Sequence, residues 1–343
     1  MMRTAHNGSI SRQRGLSLVE IMVALALGAV ITVGIVQMFT ANRATYQINT
    51  GQARLQENAR FAMDFVSSSV RGAGYTGCSS RANVFNALNL VDGAVPFDFD
   101  MSEPVIGFRK ASAGDPAPSE LPNDIPWGDI PEGTDVLVLK AVDGDGLGLV
   151  ANMPNSSSVV FSEVPDDLSP FATGSILMIS DCTKAAVFQV TNSEVTGNGF
   201  QIQHNPGGSQ VPGNSTQRLA QDDEPFGTDA SVFMLRTEYY FVAPGAGTNN
   251  AGATPMALWR KRGTQAPAEL VEGVESLQVL WGEDTNRTRV PNRYLLPQQI
   301  GNWNNVVTLR VTLTATSVDR VTEDGDGLLR RNFTQTIAVR NRT

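Results

Sequence analysis

The sequence contains few of the residue types that metal and catalytic sites require. Its 343 residues include two cysteines and two histidines, and only one of these histidines, His204, lies beyond the first fifteen residues. Two cysteines are too few for a disulfide scaffold, and their spacing is wrong for a zinc site. No Gly-x-Ser-x-Gly motif and no Walker phosphate loop is present. We therefore expect no enzymatic activity, cofactor or metal, although a triad assembled from distant residues would leave no local motif.

Basic residues are also in the minority. The chain has 26 Lys and Arg against 34 Asp and Glu, a net charge of −8. Three arginines (Arg3, Arg12 and Arg14) lie in the first fifteen residues without any acidic residue, so that 23 basic and 34 acidic residues remain. Affinity for nucleic acid comes largely from Lys and Arg on phosphates, so we expect no nucleic-acid partner. The short Arg-Lys-Arg cluster at 260–262 is typical of a solvated strand end.

One long apolar run follows the basic segment and has a carboxylate at its start. Residues 21–39 hold no charged residue and approach the length of about 20 residues that spans a membrane. The basic residues in front of the run predict a cytoplasmic N-terminus and an exported body. Glu20 is unexpected in this place, because a carboxylate in lipid is costly.

Three interpretations of this segment differ in the role that they give to Glu20. A secretory signal peptide would be cut near the Ala-Leu-Ala at 24–26, but the apolar run continues to Phe39. A plain transmembrane anchor explains the length and leaves Glu20 without a function. The third interpretation is a prepilin, because the segment resembles the class III signal of type IV pilins and type II secretion pseudopilins. The resemblance lies in Gly15, an apolar Leu16, Glu20 four positions later and an unbroken apolar run.

The prepilin resemblance implies a processing site and an assembly residue. It implies that a prepilin peptidase cuts between Gly15 and Leu16 and that the new N-terminus of Leu16 is methylated. The family usually has Phe at this first mature position, where this chain has Leu16. Glu20 would then lie four residues from a cationic amine, and pairing within a subunit or with a neighbour would lower its cost in lipid. On this interpretation Glu20 directs subunit assembly.

The helical pattern continues beyond the apolar run. No proline interrupts residues 40–78, and apolar residues recur there at helical spacing between charged ones. Gly72 and Gly74 predict the end of the helix. We therefore predict one helix from Leu16 to about Arg71, apolar in its first half and amphipathic in its second half, which packs on the body. The recurring apolar residues are Leu55, Phe61, Phe65 and Val66.

The rest of the chain has the pattern of an antiparallel β-sheet protein. Residues 83–133 are rich in Pro, Gly and Asp, which predicts surface loops with short strands. Runs of period two follow and predict half-buried antiparallel strands, the last two of which form a hairpin. In the segment FMLRTEYYF we expect Phe233, Leu235, Tyr239 and Phe241 to share one face. The predicted strands are 136–140, 159–163, 176–180, 186–191, 200–204, 232–242, 257–260, 274–281, 306–317 and 332–340.

Several segments resemble PilW-type minor pilins of the type IV pilus. They are LQENARFAMDF, RGAGYTGC, SDCTKAAVFQVT, ALWRKR, LVEGVESLQVLWG, NVVTLRVTL and IAVRNR. The resemblance implies an α+β fold, in which a long N-terminal α-helix, transmembrane in its first half, packs on an antiparallel β-rich globular domain. It implies a cleaved basic leader at 1–15, a helix at 16–73 that is membrane-embedded over 16–39, and a periplasmic domain at 74–343.

The same resemblance implies a function in assembly. The protein would help to prime a type IV pilus and sit at or near its tip, after starting in the inner membrane with its N-terminus in the cytoplasm. The implied partners are other minor pilins, the major pilin, the prepilin peptidase, the inner-membrane assembly platform, membrane lipid and a tip adhesin. A J-type minor pseudopilin of type II secretion shares the fold and the processing motif and is the alternative, although the length of this chain favours the pilus. An adhesin or DNA-uptake module would need an added binding domain or a basic patch, and neither is visible.

The two cysteines predict one disulfide. Cys78 and Cys182 both follow the apolar run, so we expect both outside the cytoplasm, where a structural disulfide is the natural pairing. Two buried thiols are the alternative.

Two segments rich in Asp and Gly resemble halves of calcium loops. They lie at 143–146 and 323–327, and neither has the downstream Glu of an EF-hand. We predict that both are turns between strands.

Overall fold

The structure, a computed structural model, has one long helix and fifteen strands among the residues that it describes. The helix, α1, is Leu18–Gly72. The chain divides into two compact units, Met1–Thr50 and Gly51–Thr343, and α1 contributes residues to both. The described residues are 15–77, 83–154, 157, 159–181, 183–207, 209–221 and 224–342.

The first unit contains the apolar part of α1. Every residue from 18 to 39 is exposed, and α1 is the one helix among the described residues that is long and apolar enough to cross a membrane. Thr32 Oγ1 donates to the Gly28 carbonyl at 2.8 Å, and Thr40 Oγ1 donates to the Gln37 carbonyl at 2.9 Å. These bonds satisfy hydroxyl groups that lipid could not satisfy.

In the second unit, α1 packs on the body through mostly small side chains. Phe61 and Phe65, which we predicted on the packed face, are 52% and 39% exposed. The prediction was wrong because the buried stripe runs through Ala59, Ala62 and Val66 at steps of three and four residues, which leaves both phenylalanines to one side. The buried residues are Leu55, Ala59, Ala62, Met63, Val66, Ser67 and Val70.

Glycine fixes the end of α1. The helix ends at Gly72, as predicted. Gly74 has a φ of 74°, a left-handed conformation that glycine adopts without steric cost. Its N–H donates to the Lys140 carbonyl at 2.9 Å, so the chain leaves the helix directly against the body.

The strands and short 3₁₀-helices of the body follow in chain order. The strands are β1 (Asn83–Asn86), β2 (Val105–Arg109), β3 (Asp135–Gly148), β4 (Val159–Ser162), β5 (Ile176–Ser180), β6 (Lys184–Gln189), β7 (Asn192–Thr196), β8 (Gly199–Gln203), β9 (Ser231–Pro244), β10 (Met256–Arg262), β11 (Ala268–Glu272), β12 (Val274–Glu283), β13 (Arg293–Leu295), β14 (Val306–Thr316) and β15 (Arg330–Ala338). The 3₁₀-helices are Phe97–Phe99, Trp127–Asp129, Ser169–Phe171, Pro297–Gln299, Trp303–Asn305 and Arg340–Arg342.

Eight strands form a branched sheet around β9. Along one edge β9 pairs with β3, from Tyr240 opposite Leu137 to Ser231 opposite Gly148. Along the other edge, β5 pairs with the first part of β9 and β10 with the second part. The strands β1, β2, β6 and β11 complete this sheet, in which β1 and β6 run parallel and the other pairs antiparallel.

A four-stranded antiparallel sheet, in the order β13-β12-β14-β15, shares a core with α1 and the large sheet. Leu309, Val311 and Leu313 of β14 lie in this core with Val66 and Val70 of α1, which confirms the predicted alternation of β14. The predicted terminal hairpin of β14 and β15 is confirmed by their antiparallel pairing. A three-stranded sheet, in the order β4-β8-β7, covers a second core.

All ten predicted strand positions hold strands, and two details of the prediction were wrong. Segment 143–146 is not a turn between strands but lies inside β3, where the pairing with β9 shifts between Asp143 and Leu147, as in a β-bulge. The central strand β9 is not half-buried, as predicted, but buried on both faces: the neighbouring residues Tyr239 and Tyr240 lie in different cores. Segment 323–327 lies in the connection between β14 and β15, as predicted.

Candidate processing and assembly site

The first described residues form an exposed, non-helical stretch before the first turn of α1. Ser17 Oγ accepts a hydrogen bond from the Glu20 N–H at 3.2 Å, and the Ser17 carbonyl accepts one from the Ile21 N–H at 3.2 Å. Ser17 therefore caps the helix. A Cβ added to Gly15 would have no atom within 4 Å, and Leu16 is 69% exposed. The peptide bond between Gly15 and Leu16 thus lies in accessible backbone.

Glu20 lies about one helical turn from Leu16. It is the acidic residue in the first turn of α1, where the helix dipole favours a negative charge. Its side chain is exposed, and it makes no ion pair with any residue that the structure describes. Four residues correspond to about 6 Å along a helix axis, so a charged amine at Leu16 would come close to this carboxylate.

Inside the body, Asp135 joins the two larger sheets. This residue of β3 is fully buried, and its Oδ2 accepts a hydrogen bond from the Val279 N–H of β12 at 2.6 Å. The Arg109 Nε lies 3.4 Å from Asp135 Oδ1. Burial raises the pKa of Asp135 to about 7, against the smaller opposing effects of the Val279 hydrogen bond and the Arg109 charge. These contacts give Asp135 a structural role.

His204, the histidine singled out in the sequence, is fully buried in the body. Its ring lies 5.1 Å from the Phe188 ring, and neither ring nitrogen has a hydrogen-bond partner among the described residues. Burial lowers the pKa of His204 to about 4. The imidazole is therefore neutral at pH 7 and packs as a core side chain.

The basic cluster at 260–262 is largely neutralised within the body. Lys261 is buried, and its Nζ lies 2.7 Å from Asp124 Oδ2. Arg262 Nη2 lies 2.8 Å from Glu238 Oε1. The cluster forms the end of β10, as predicted, but Lys261 is buried and not solvated, because its side chain reaches the Asp124 carboxylate inside the body.

One acidic residue of each Asp-Gly segment is engaged in an ion pair. Asp143 pairs with Arg236, and Asp326 pairs with Arg330. Arg330 Nη2 also lies 2.7 Å from Glu275 Oε1. Within the described residues, no group of three or more His, Cys, Asp or Glu residues could hold a metal ion.

Cys78 and Cys182 lie outside the described residues. The strands that follow them are described: β1 runs parallel to β6, with Asn83 opposite Lys184. The first strands after the two cysteines, β1 and β6, therefore lie side by side in the large sheet.

A cleft beside α1 was not expected from the sequence. Its volume is about 610 Å³. Four of its lining residues are charged, two of each sign, and they make no ion pair with any described residue. The sequence signal for this cleft is the mixture of aromatic and charged residues in α1 and β15, two elements that the sequence predicts to be packed against the body. The lining residues are Gln56, Glu57, Arg60, Phe61, Asp64, Arg331 and Phe333.

Comparison with known proteins finds families at both ends of the chain. The prokaryotic N-terminal methylation motif matches residues 10–36, which include Gly15, Leu16 and Glu20. The family of type IV pilus-assembly protein W (PilW) matches residues 239–341, from β9 to the C-terminal 3₁₀-helix. No curated protein and no solved structure matches the chain. The chain therefore combines a domain of the PilW family with a prepilin-type N-terminal methylation motif, a combination that supports a minor pilin of the type IV pilus.

Proposed function

We propose that this protein helps to prime the assembly of a type IV pilus and sits at or near the pilus tip. The observation that carries the proposal is the position of Gly15 and Leu16 directly before an exposed apolar helix, with Glu20 in the first turn of that helix. The PilW domain favours the pilus over the pseudopilus of type II secretion, which also uses prepilin-type subunits.

Processing would create a positively charged partner for the Glu20 carboxylate. Cleavage after Gly15 would free an amine at Leu16, which is then methylated and stays cationic. A carboxylate at the centre of a membrane helix costs roughly 2.5–3.5 kcal/mol on insertion scales, and less near the edge. An ion pair with a neighbouring subunit would recover part of this cost in the assembled state alone. Glu20 would therefore set the register in which subunits dock.

The proposed location of the protein changes during assembly. The helix would hold the protein in the inner membrane, with the N-terminus in the cytoplasm and the body in the periplasm, until it joins the pilus. Its partners would be the prepilin peptidase, the inner-membrane assembly platform, other minor pilins and the major pilin, with a tip adhesin as a further contact.

A disulfide between Cys78 and Cys182 would tie the end of α1 to the body. The parallel entry of β1 and β6, with Asn83 opposite Lys184, supports this pairing. A disulfide that closes a loop of about 100 residues stabilises by up to about 4.7 kcal/mol in the chain-entropy model.

A deletion strain tests the function. We expect loss of surface pili with type II secretion unchanged, and recovery of pili when the gene is restored. Immunogold labelling of sheared pili should find the protein at one end of the fibre. Loss of secretion with normal pili would contradict the proposal and favour the pseudopilin, and labelling along the whole fibre would contradict the tip position.

A further inference from the structure

The strand β15 forms an open edge of the four-stranded sheet. It pairs with β14 over nine positions without a shift in register, from Arg330 opposite Thr316 to Ala338 opposite Thr308. No other strand among the described residues pairs with β15. Its second edge is therefore free in the isolated subunit.

The register shows which backbone groups lie on the free edge. At one end of the pair the Val339 N–H donates to the Val307 carbonyl, and at the other end the Ser317 N–H donates to the Leu329 carbonyl, both at 2.9 Å. Antiparallel residues that exchange hydrogen bonds alternate with residues that do not. The odd-numbered residues of β15 thus bond to β14, and the even-numbered residues from 330 to 338 direct their N–H and C=O groups outward.

This edge lacks the features that protect most edge strands. Natural edges are usually short, bulged, interrupted by proline or lined with charges. β15 has no proline and no bulge, and its charged residues lie only at the first two positions. Asn332, Thr334 and Thr336, which present the central outward backbone groups, are uncharged. Such an edge is a template for a further strand.

The helix α1 extends beneath the place where that further strand would lie. Neighbouring strands are about 4.8 Å apart, so the next strand beyond β15 would cover the cleft between β15 and α1. Phe333 of β15 and Phe61 of α1 line this cleft, and Phe61 is 52% exposed. The sheet is therefore one strand too narrow to bury the aromatic residues of the helix.

We propose that the free edge of β15 accepts an extended segment of another pilus subunit, whose core-facing side chains fill the cleft over Phe61 and Phe333. This inference rests on the proposed function in pilus assembly. The occupant must offer an apolar residue to the two phenylalanines. It must also bring charges that complement the four charged residues of the cleft, because a buried charge without a partner is strongly destabilising. These residues are Glu57, Arg60, Asp64 and Arg331.

A second copy of this chain fits the edge poorly. Two copies paired through antiparallel β15 strands would be related by a two-fold axis. Residues 51–72 of α1 pack against the same sheet, so the two helices would run in opposite directions. Such a two-fold pair closes as a dimer, whereas the subunits of a fibre repeat head to tail, so we take a different subunit as the occupant.

The test uses the full-length protein in its own cells, with a photo-crosslinking amino acid at position 61. Thr334→Pro removes an outward N–H without removing a bond to β14, and Thr334→Ala changes the same side chain but keeps that N–H. We expect a crosslink from position 61 to another pilus protein, kept in Thr334→Ala and lost in Thr334→Pro. The same crosslinker at the exposed Val195 of β7 should give no such product.

Amide exchange of unsubstituted protein gives a second measurement that does not depend on the proline variant. The Thr334 and Thr336 amides should exchange about fivefold more slowly in assembled material than in the isolated protein, since one hydrogen bond contributes about 1 kcal/mol and 1.4 kcal/mol is tenfold. The Gln335 amide, bonded to β14, should change little. A crosslink to a second copy, a crosslink unaffected by Thr334→Pro, or unchanged exchange at Thr334 would overturn the inference. Normal pili after gene deletion would instead overturn the proposed function.

Discussion

Replacing His204 with leucine should remove a loss of stability that the body suffers in acid. The imidazole is fully buried against Phe188 and has no hydrogen-bond partner among the described residues. Burial lowers its pKa from 6.5 to about 4. A group whose pKa is lowered on folding contributes stability above its unfolded pKa, and this stability is lost as the pH falls through the folded pKa. The loss therefore lies between pH 6.5 and pH 4.

The size of the effect follows from the two pKa values. At 1.36 kcal/mol per pKa unit, a difference of about 2.5 corresponds to about 3.4 kcal/mol. Between pH 7 and pH 4.5, about 2.5 kcal/mol of the free energy of unfolding should be lost through His204. Carboxylates also titrate in this range, so the informative quantity is the difference between wild type and variant. His204→Gln is a second variant that cannot titrate and keeps a polar side chain.

Urea unfolding of the full-length protein in detergent, at pH 7 and pH 4.5, measures this difference. The four tryptophans lie at positions 127, 259, 281 and 303, so tryptophan fluorescence reports on the body. We expect the wild type to lose about 2.5 kcal/mol more than either variant on acidification. An equal loss in wild type, His204→Leu and His204→Gln would refute a buried, neutral His204.

Three further outcomes are expected. Asp135→Asn should remove a loss of stability that the wild type suffers in alkali. The pKa of Asp135 is raised to about 7, so the stability that this residue contributes is full below pH 3.8 and is lost as the pH rises through 7. In the same urea assay the wild type should lose about 1.4 kcal/mol through Asp135 between pH 6 and pH 8.5. A wild type that is equally stable at pH 6 and pH 8.5 would contradict this. Non-reducing peptide mapping of periplasmic protein should find Cys78 joined to Cys182, and two free thiols would end the disulfide proposal. Terminal mass spectrometry of membrane fractions should find an N-methylated Leu16 as the first residue, whereas an intact leader would reject the processing proposal.

The sequence predicted most of the fold because the repeating patterns are long. The end of α1 at Gly72 and the alternation of β14 follow from local chemistry, a glycine after a long periodic segment and a run of period two. The short strands β7, β11 and β13 were missed because they hold five residues or fewer and carry little pattern. The bulge at Asp143 was mistaken for a turn, because Asp-Gly pairs occur in bulges as well as in turns.

The errors on α1 and β9 have a tertiary origin. Periodicity shows which residues of a helix share a stripe but not which stripe faces the body, and small residues such as Ala59 and Ala62 formed the packed face in place of Phe61. Burial of both faces of β9 depends on the elements that cover the sheet. The cleft beside β15 has the same origin, since it joins residues about 270 positions apart in the chain. The processing motif, in contrast, is a local feature of consecutive residues and was visible directly.

The central claim is that Glu20 serves assembly, and pilus counts with Glu20→Ala as the sole copy of this subunit test it most directly. The side chain makes no ion pair with any described residue and lies one turn from Leu16, so its removal should leave cleavage and membrane insertion intact. Insertion should become easier by a few kcal/mol at most, because a charge leaves the bilayer, while docking loses its charge pair. We predict normal amounts of processed protein in the membrane and few surface pili, close to the count of the deletion strain. Wild-type pilus counts in a background whose deletion is bald would contradict the account.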